Sequence, residues 1–230
     1  MIRRLIKDHS FFYKIYFYGY LRGIKGQRDI PFFNASTQLY FGAVPRSGNT
    51  YLNHLIRNIM PDLNSVHHLH SLAVVKIALQ RKLPTFILIR EPEECVSSAY
   101  LKRSVIQNNG QPADEIDLEL LKQFLEDYIS YYKYVDKERK KISIIHFEDL
   151  IKSPQKVLKD MADKLGYTLN DEDLNSQTQY FASTYKSNIS KYGSSKPNED
   201  KKREKRKIKE AIFHFDEYKE AKKLYERMIH

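Results

Sequence analysis

The chain lacks several features that define common classes of protein. It has no tryptophan and only one cysteine, Cys95, among its 230 residues. A single cysteine excludes an internal disulfide and fits a reducing compartment, so we expect a cytoplasmic protein. The chain has no run of 18 or more apolar residues, so the sequence predicts no membrane-spanning helix.

The residues that are present predict one α/β domain. Hydrophobic residues make up 41% of the chain and aromatic residues 13%, which is enough for the core of a single domain over 1–230. We expect this domain to include an N-terminal aromatic and basic arm over about 1–25 and a charged C-terminal helix over about 202–228. The arm lacks a small-residue cleavage site, which argues against a secretory signal. It predicts either a helix packed on the domain or a peripheral contact with a membrane surface.

Positive charge dominates the chain, whose formal net charge is +10 at pH 7. Basic proteins favour polyanionic partners, such as small polyanions, an anionic membrane face or a nucleic acid. Much of the excess lies in residues 201–209, and such a run is typical of a solvated helix face. One hypothesis is therefore a non-catalytic basic module that binds nucleic acid through residues 196–209.

A turn between a strand and a helix is the most informative stretch of the sequence. The apolar run 39–44 predicts a buried strand, and a helix is predicted over 51–59 after the tight turn 45–50. This arrangement directs free backbone N–H groups and the positive end of the helix dipole at one point. The turn adds a cation and three short hydrogen-bonding side chains: Arg46, Ser47, Asn49 and Thr50. The sequence therefore predicts a binding site for a phosphate-like anion.

This turn differs from the loop that binds ATP in P-loop enzymes. Five residues separate Gly42 from Gly48 where that motif has four, and Asn49 stands in place of the lysine that neutralises the outer phosphates. The cation lies instead at Arg46, so we expect an anion other than a magnesium-bound triphosphate. A phosphoryl-transfer enzyme with a degenerate loop, such as a nucleotide or sugar kinase, is kept as an alternative.

A second anion signature follows the strand predicted at 85–89. Arg90 comes directly after this strand, Pro92 suits the first position of a helix, and Ser98 lies about two turns into that helix. A third strand, over 142–147, leads into a helix at 155–165. Because strands and helices alternate, we expect a three-layer sandwich with a central parallel sheet. Arg90 and Ser98 would then lie at the carboxyl edge of that sheet, where open α/β folds bind ligands.

These motifs together resemble one family. Residues 45–51, Pro-Arg-Ser-Gly-Asn-Thr-Tyr, resemble the Pro-Lys-Ser-Gly-Thr-Thr-Trp loop of the sulfotransferases. Arg90 with Ser98 resembles the second signature of the family, and 147–150, Phe-Glu-Asp-Leu, resembles its Tyr-Glu-Asp-Leu block. The resemblance implies a P-loop-NTPase-like sulfotransferase fold. It also implies transfer of a sulfuryl group from 3′-phosphoadenosine 5′-phosphosulfate (PAPS), with 3′-phosphoadenosine 5′-phosphate (PAP) as product and no metal.

The resemblance also implies roles for individual residues. The loop would hold the 5′-phosphosulfate, Arg90 and Ser98 would bind the 3′-phosphate, and aromatic side chains would lie near the base. The donor-binding residues implied in this way are Arg46, Ser47, Gly48, Asn49, Thr50, Tyr51, Arg90, Ser98, Phe147 and Lys191. Lys191 belongs to a basic, glycine-containing segment that loosely resembles the one closing the site in the family. Two departures are arginine in place of lysine at 46 and tyrosine in place of tryptophan at 51.

Catalysis by such an enzyme needs a cation at the leaving group and a base for the acceptor proton. Arg46 suits the first role. The histidines at 67, 68 and 70 offer bases of near-neutral pKa. His68 best matches the catalytic histidine of the cytosolic branch of the family, and His70 is an equal rival. The cluster has no cysteine or acidic partner nearby, so we expect no metal site; plain loop polarity is the other explanation.

The acceptor is not identified by the sequence, and carbohydrate, lipid, small-molecule and peptide acceptors all stay open. The variable segments 100–115 and 168–200 are predicted to shape its pocket. No nucleic-acid partner is expected, because a nucleic-acid module would leave both anion signatures unexplained. A family member that binds the nucleotide without turnover is a further alternative.

Overall fold

The computed structural model of the chain describes residues 9–17, 32–67, 69–109, 111, 113, 115–170, 172, 174–176, 178 and 199–230. The strands are β1 Leu39–Gly42, β2 Ser65–Val66, β3 Thr85–Ile89 and β4 Ser143–His146. The helices are α1 Ser10–Ile15, α2 Asn49–Ile59, α3 Leu72–Gln80, α4 Pro92–Gln107, α5 Leu118–Lys137, α6 Phe147–Lys152, α7 Pro154–Leu165, α8 Glu199–Ile212 and α9 Asp216–Ile229. Within the described ranges, no helix has both the length and the apolar character that crossing a membrane requires.

The four strands form one parallel sheet in the order β2-β1-β3-β4. The two strands that precede the anion signatures, β1 and β3, are neighbours at its centre, with Phe41 opposite Phe86. Because both strands run in the same direction, the turn after β1 and Arg90 after β3 lie at the same edge of the sheet.

Helices cover both faces of this sheet, because successive strand side chains point to opposite sides. Tyr40 and Ile87 enter a core built with α3, α4, α5, α8 and α9. Phe41 and Leu88 enter a second core built with α2, α6 and α7. The predicted three-layer α/β fold with a central parallel sheet is confirmed.

Buried tyrosines connect α5 to the end of β3. The hydroxyl of Tyr132 donates a hydrogen bond to the carbonyl of Leu88 at 2.7 Å, and that of Tyr128 donates to the carbonyl of Arg90 at 2.8 Å. A buried hydroxyl is costly unless it has a partner, so these bonds fix the height of α5 against the sheet. They also hold the backbone from which the Arg90 side chain extends.

Several element boundaries differ from the sequence prediction. Strand β1 ends at Gly42 and not at 44, and α2 begins at Asn49 and not at 51. The strand predicted to include Phe147 ends one residue earlier, since Phe147 begins α6; Glu148 and Asp149 then occupy a first helical turn, where acidic side chains are favoured. The single helix predicted over about 202–228 is two helices, α8 and α9. The break lets α9 fold back so that its apolar face joins the core beside α5.

The predicted N-terminal arm, about 1–25, falls largely outside the described residues. Within 9–17 the chain forms the short helix α1. Tyr13 and Phe17 join the first core, and the ring of Phe17 stacks on Phe32 at 4.2 Å between centroids. Part of this segment therefore packs on the domain.

Candidate functional site

The turn between β1 and α2 has an unusual backbone. Arg46 and Gly48 both have positive φ angles, 73° and 102°. Gly48 is the N-cap of α2, and a Cβ atom there would lie 2.8 Å from Cδ2 of Phe147. Glycine is therefore needed at 48 for both conformation and space. Arg46 holds a conformation that side-chain-bearing residues seldom adopt, and such strain is common at functional loops.

Side chains of α4 hold this turn in place. The thiol of Cys95 donates to the carbonyl of Pro45 at 2.9 Å, and the hydroxyl of Ser47 lies 3.3 Å from the Cys95 sulfur. Burial raises the pKa of Cys95 to about 11. The thiol is therefore protonated at neutral pH and acts as a packed hydrogen-bond donor, not as a nucleophile.

The two anion signatures are in direct contact. Nε of Arg46 donates to Oγ of Ser98 at 3.0 Å, and Nη1 of Arg90 donates to the carbonyl of Arg46 at 3.1 Å. The sequence interpretation placed Arg46 and the pair Arg90–Ser98 at opposite ends of one ligand. In the structure they form one continuous wall of positive charge.

Arg90 keeps hydrogen-bonding capacity for a ligand. Its guanidinium lies 4.1 Å from the centroid of the Phe147 ring, and its buried Nε has no hydrogen-bond partner among the described residues. A buried donor on a cation is unfavourable unless an anion or a water molecule accepts its hydrogen bond. The observation therefore indicates a place for an anion beside Phe147.

A cavity of about 460 Å³, here called the loop cavity, lies over this wall. The turn and the start of α2 supply Arg46, Gly48, Asn49, Thr50 and Tyr51, and the other side supplies His70, Arg90, Lys102, Arg103 and Phe147. Four of these residues are cations, and no carboxylate occurs among the described residues that line the cavity. The N-terminal end of α2 adds the positive end of its dipole.

A second cavity of about 420 Å³, here called the helix cavity, lies between α4 and α5. Apolar side chains such as Leu72, Val96 and Phe124 line it together with Asp117 and Asp127. The two cavities share lining residues, among them His70 and Arg103. They therefore meet at His70.

His70 is the described histidine that reaches the site. Its Nδ1 lies 2.7 Å from the carbonyl oxygen of Ala43. Burial is the main cause that lowers its pKa, the positive charge of Lys102 acts in the same direction, and the Ala43 contact opposes them. His67 is instead buried and stacked on Phe41, 5.2 Å between ring centroids. His68 lies outside the described residues, so its role stays a prediction.

An ion cluster missed by the sequence interpretation lies behind Arg90. Glu94 accepts hydrogen bonds from Lys205 at 2.6 Å, from Lys209, and from Arg90 at 3.4 Å. Burial would raise the pKa of Glu94, but the bonds from both lysines together outweigh it and lower this pKa to about 2. In the sequence, the spacing of Lys205 and Lys209 by one helical turn could have indicated this cluster. Lys191, the basic residue named instead, lies outside the described residues.

Among the residues that the structure describes, no group of three or more histidine, cysteine, aspartate or glutamate side chains is placed to hold a metal ion. The charged side chains among the described residues that line the loop cavity are four cations, which suit an anion and not a cation.

Comparison with known proteins identifies the family. The family model described as the sulfotransferase domain matches residues 53–229, and the chain therefore belongs to the sulfotransferase family. The match includes Arg90, Ser98 and Phe147 but begins two residues after the turn 45–51. None of the curated proteins matches the sequence significantly.

A solved structure shows the same fold. The crystal structure of mouse sulfotransferase SULT7A1 complexed with PAP is similar to this chain with a TM-score of 0.51 and 16% sequence identity. The similarity covers 85% of this chain and 91% of the mouse chain. The predicted family and the predicted sulfotransferase fold are both confirmed.

Proposed function

We propose that this chain is a PAPS-dependent sulfotransferase that holds the donor in the loop cavity and the acceptor in the helix cavity. One observation carries the proposal: the loop cavity combines four cations, a helix N-terminus and no carboxylate among its described lining residues. PAPS is a polyanion of matching charge. The PAP bound to the mouse sulfotransferase supports the same type of donor here.

The chemistry of the cavity fits the parts of PAPS. The turn amides and Thr50 would donate to the 5′-phosphosulfate. The Ser47 hydroxyl is buried against Cys95 and lines neither cavity, so it would hold the turn and not the ligand. The unpartnered Nε of Arg90 would donate to the 3′-phosphate together with Ser98. Tyr51 and Phe147 supply aromatic surface for the base. Lys191 is kept as a donor-site residue by resemblance alone.

The residues around the meeting point of the cavities can support transfer. The acceptor oxygen or nitrogen would attack sulfur as the bond from sulfur to the phosphate oxygen breaks, and PAP would leave. Arg46 would stabilise the charge that develops on the departing phosphate. His70, whose lowered pKa keeps it neutral at pH 7, would take the acceptor proton. His68 remains the alternative base.

The helix cavity suits a small acceptor with an apolar portion. The sequence interpretation assigned the acceptor pocket to 100–115 and 168–200. The described lining comes mainly from α4 and α5 and includes Arg103 and Gln107 of the first segment, and most of the second segment lies outside the described residues. Carbohydrate, lipid and small phenolic or amine acceptors are compared by incubating the protein with ³⁵S-labelled PAPS and each class. Label transferred to one class identifies the acceptor. If the protein consumes no PAPS with any of these acceptors, even at high enzyme concentration, the result contradicts catalysis.

A thermal-shift comparison separates this proposal from phosphoryl transfer. PAP should raise the melting temperature, whereas magnesium-ATP should do little, because no lysine occupies the place at which P-loop enzymes bind the outer phosphates. Stabilisation by magnesium-ATP and not by PAP would favour a kinase with a degenerate loop.

We also propose a peripheral membrane contact through the N-terminal arm. Helix α1 exposes Phe11, Phe12 and Ile15, of which Phe11 is 68% exposed. Co-sedimentation with anionic vesicles, lost in Phe11→Ser, tests this contact. The cytoplasmic location stays a prediction that cell fractionation can check.

A further inference from the structure

Asn49 and His70 meet at the junction of the two cavities. Asn49 is the first residue of α2, and His70 stands two residues before α3. The Asn49 amide nitrogen lies 3.3 Å from Nδ1 of His70, and the carbonyl oxygen of Ala43 lies 2.7 Å from the same ring nitrogen. One nitrogen of the candidate base therefore contacts two polar groups of the donor loop and its strand.

The shorter of the two contacts decides which ring nitrogen carries the proton. A carbonyl oxygen and an unprotonated nitrogen would repel each other at 2.7 Å, so Nδ1 is protonated and donates to Ala43. The neutral imidazole then has its lone pair on Nε2. With Nδ1 protonated, an NH₂ group of Asn49 at 3.3 Å would place two donors face to face.

The amide oxygen of Asn49 resolves this conflict. The side chain is 4% exposed, and its oxygen has no hydrogen-bond partner among the described residues. Rotating the amide by half a turn exchanges oxygen and nitrogen at nearly constant shape. The oxygen then shares the single Nδ1–H of His70 with the Ala43 carbonyl in a three-centre hydrogen bond, and two donors no longer oppose each other. The NH₂ group takes the position at which the oxygen had no partner.

We propose that Asn49 is a positioning residue that, with the Ala43 carbonyl, holds the Nδ1–H of His70 and so makes Nε2 the nitrogen that accepts the acceptor's proton. Asn49 thereby links the loop that holds the donor to the base that activates the acceptor. The kinetic consequence rests on the proposed function. The tautomer and the pKa of His70 are measurable without turnover.

Charged groups on several elements surround this histidine. The loop cavity that His70 lines also contains Lys102 and Arg103 of α4, Arg46 of the turn and Arg90. The helix cavity that it lines contains Asp117 and Asp127, whose charges act in the opposite direction. The nearby cations favour the neutral ring, in agreement with the direction in which burial and Lys102 move the pKa of His70. A carboxylate placed at Nδ1 would oppose them directly.

Asn49→Asp tests the proposal, because it keeps the shape of residue 49 and adds a negative charge at Nδ1–H. We expect the pKa of His70 to rise by about one unit or more, a tenfold change in proton affinity. The measurement is a ¹⁵N NMR titration of histidine-labelled protein, in which the His70 signals are those missing from His70→Gln. The acid limb of the kcat/KM profile should move upward in pH by the same amount.

Asn53→Leu is the matched control. Asn53 lies one turn further along α2, is 6% exposed, and also has an unpartnered oxygen, but it lines neither cavity. It should leave the pKa and the Nδ1–H tautomer of His70 unchanged. An unchanged His70 pKa in Asn49→Asp, or an equal change in Asn53→Leu, overturns the proposal. If the wild-type protein consumes no PAPS, the proposed function fails, and the NMR result still decides whether Asn49 holds His70.

Discussion

Arg46 and Arg90 touch through a backbone carbonyl, yet they have different roles in the proposed reaction. Arg46 acts on the departing phosphate, where charge grows during transfer, whereas Arg90 holds a phosphate whose charge stays constant. Removing an interaction that strengthens in the transition state lowers kcat. Removing an interaction that is equally strong with the bound substrate and with the transition state raises KM.

Alanine substitutions should therefore separate the two arginines kinetically. Arg90→Ala is expected to raise the KM for PAPS by about 10- to 100-fold, the loss of one charge-assisted hydrogen bond, with a smaller change in kcat. Arg46→Ala should lower kcat by about 100-fold while PAP affinity falls less. Steady-state kinetics and PAP titrations measure both. If Arg90→Ala leaves the KM for PAPS unchanged, Arg90 does not bind the 3′-phosphate as proposed.

Gly48 permits a test of the turn that leaves its charges intact. Gly48→Ala places a methyl group 2.8 Å from the Phe147 ring at a φ of 102°, so we expect PAP binding to weaken by at least about tenfold as the turn shifts. Gly166→Ala is the control, since its φ is 64° and, among the described residues other than its chain neighbours, no atom lies within 4 Å of the added methyl. Gly166→Ala should lose about 1 kcal/mol of stability from backbone strain, and Gly48→Ala should lose more because the contact with Phe147 adds to the strain. Equal PAP affinity in the two variants would refute the role of the turn.

At the residue level the sequence predicted the turn better than its surroundings. The donors of 45–50 follow one another along the chain, so their convergence required only a strand, a turn and a helix. The Ala43 carbonyl that binds His70 and the carboxylate of Glu94 that binds Lys205 are tertiary contacts between distant segments. Such contacts depend on how the elements pack, which residue types and spacing do not determine.

Helices α4 and α8 are joined by one carboxylate. Glu94 of α4 accepts from both Lys205 and Lys209 of α8, and it also contacts Arg90. The cluster holds three cations and one anion. Removing the anion would leave partly buried lysines without their counter-ion, which is costly.

Glu94→Gln should destabilise the protein in a pH-dependent way. The folded-state pKa of Glu94 is lowered to about 2 from 4.5, so its stabilisation is fully present above pH 4.5 and is lost as pH falls toward 2. With a side chain 27% exposed, we expect a loss of about 1–3 kcal/mol at pH 7, less after solvent screening.

Urea unfolding at pH 7 and near pH 3 measures the effect, with Glu210→Gln as control. The Glu210 side chain pairs with Arg206 on the same helix but is 63% exposed, so its loss should cost about 0.5 kcal/mol or less. If the difference in unfolding free energy between the wild type and Glu94→Gln does not shrink near pH 3, the charge of the carboxylate is not the cause of the stabilisation.

The sequence predicted long elements well and missed short or interrupted ones. The pattern over 155–165 fixed the type of α7 and placed its start within one residue of Pro154. Strand β2 has only two residues and pairs with β1 alone, so it carries no pattern of its own. The break between α8 and α9 arises because both helices bury an apolar face on the same core, which local propensity does not require.

At the scale of the whole molecule, the alternation of strands and helices was sufficient to predict the layers. A parallel sheet needs crossover connections, and helices in those connections must cover both of its faces. The similarity to the mouse sulfotransferase at only 16% identity agrees with a fold specified by this pattern more than by particular residues. The acceptor was not predictable, since its pocket depends on side chains that vary freely on the same fold.

The excess positive charge of the molecule is partly concentrated at the candidate site. Part of the net +10 lies in the loop cavity, where Arg46, Arg90, Lys102 and Arg103 converge without a carboxylate among the described lining residues. Nucleotide affinity should therefore fall as salt concentration rises, because these charges are partly exposed. This concentration of charge is the basis for assigning the cavity to PAPS.

Calorimetric titration of the wild-type protein with PAP and with 5′-AMP tests this central claim most directly. The two nucleotides differ only in the 3′-phosphate, which Arg90 and Ser98 are proposed to bind. PAP should bind at least about tenfold more tightly than 5′-AMP, a difference of one charge-assisted contact or more. Equal affinity for the two nucleotides, or no binding of PAP, would contradict the donor assignment.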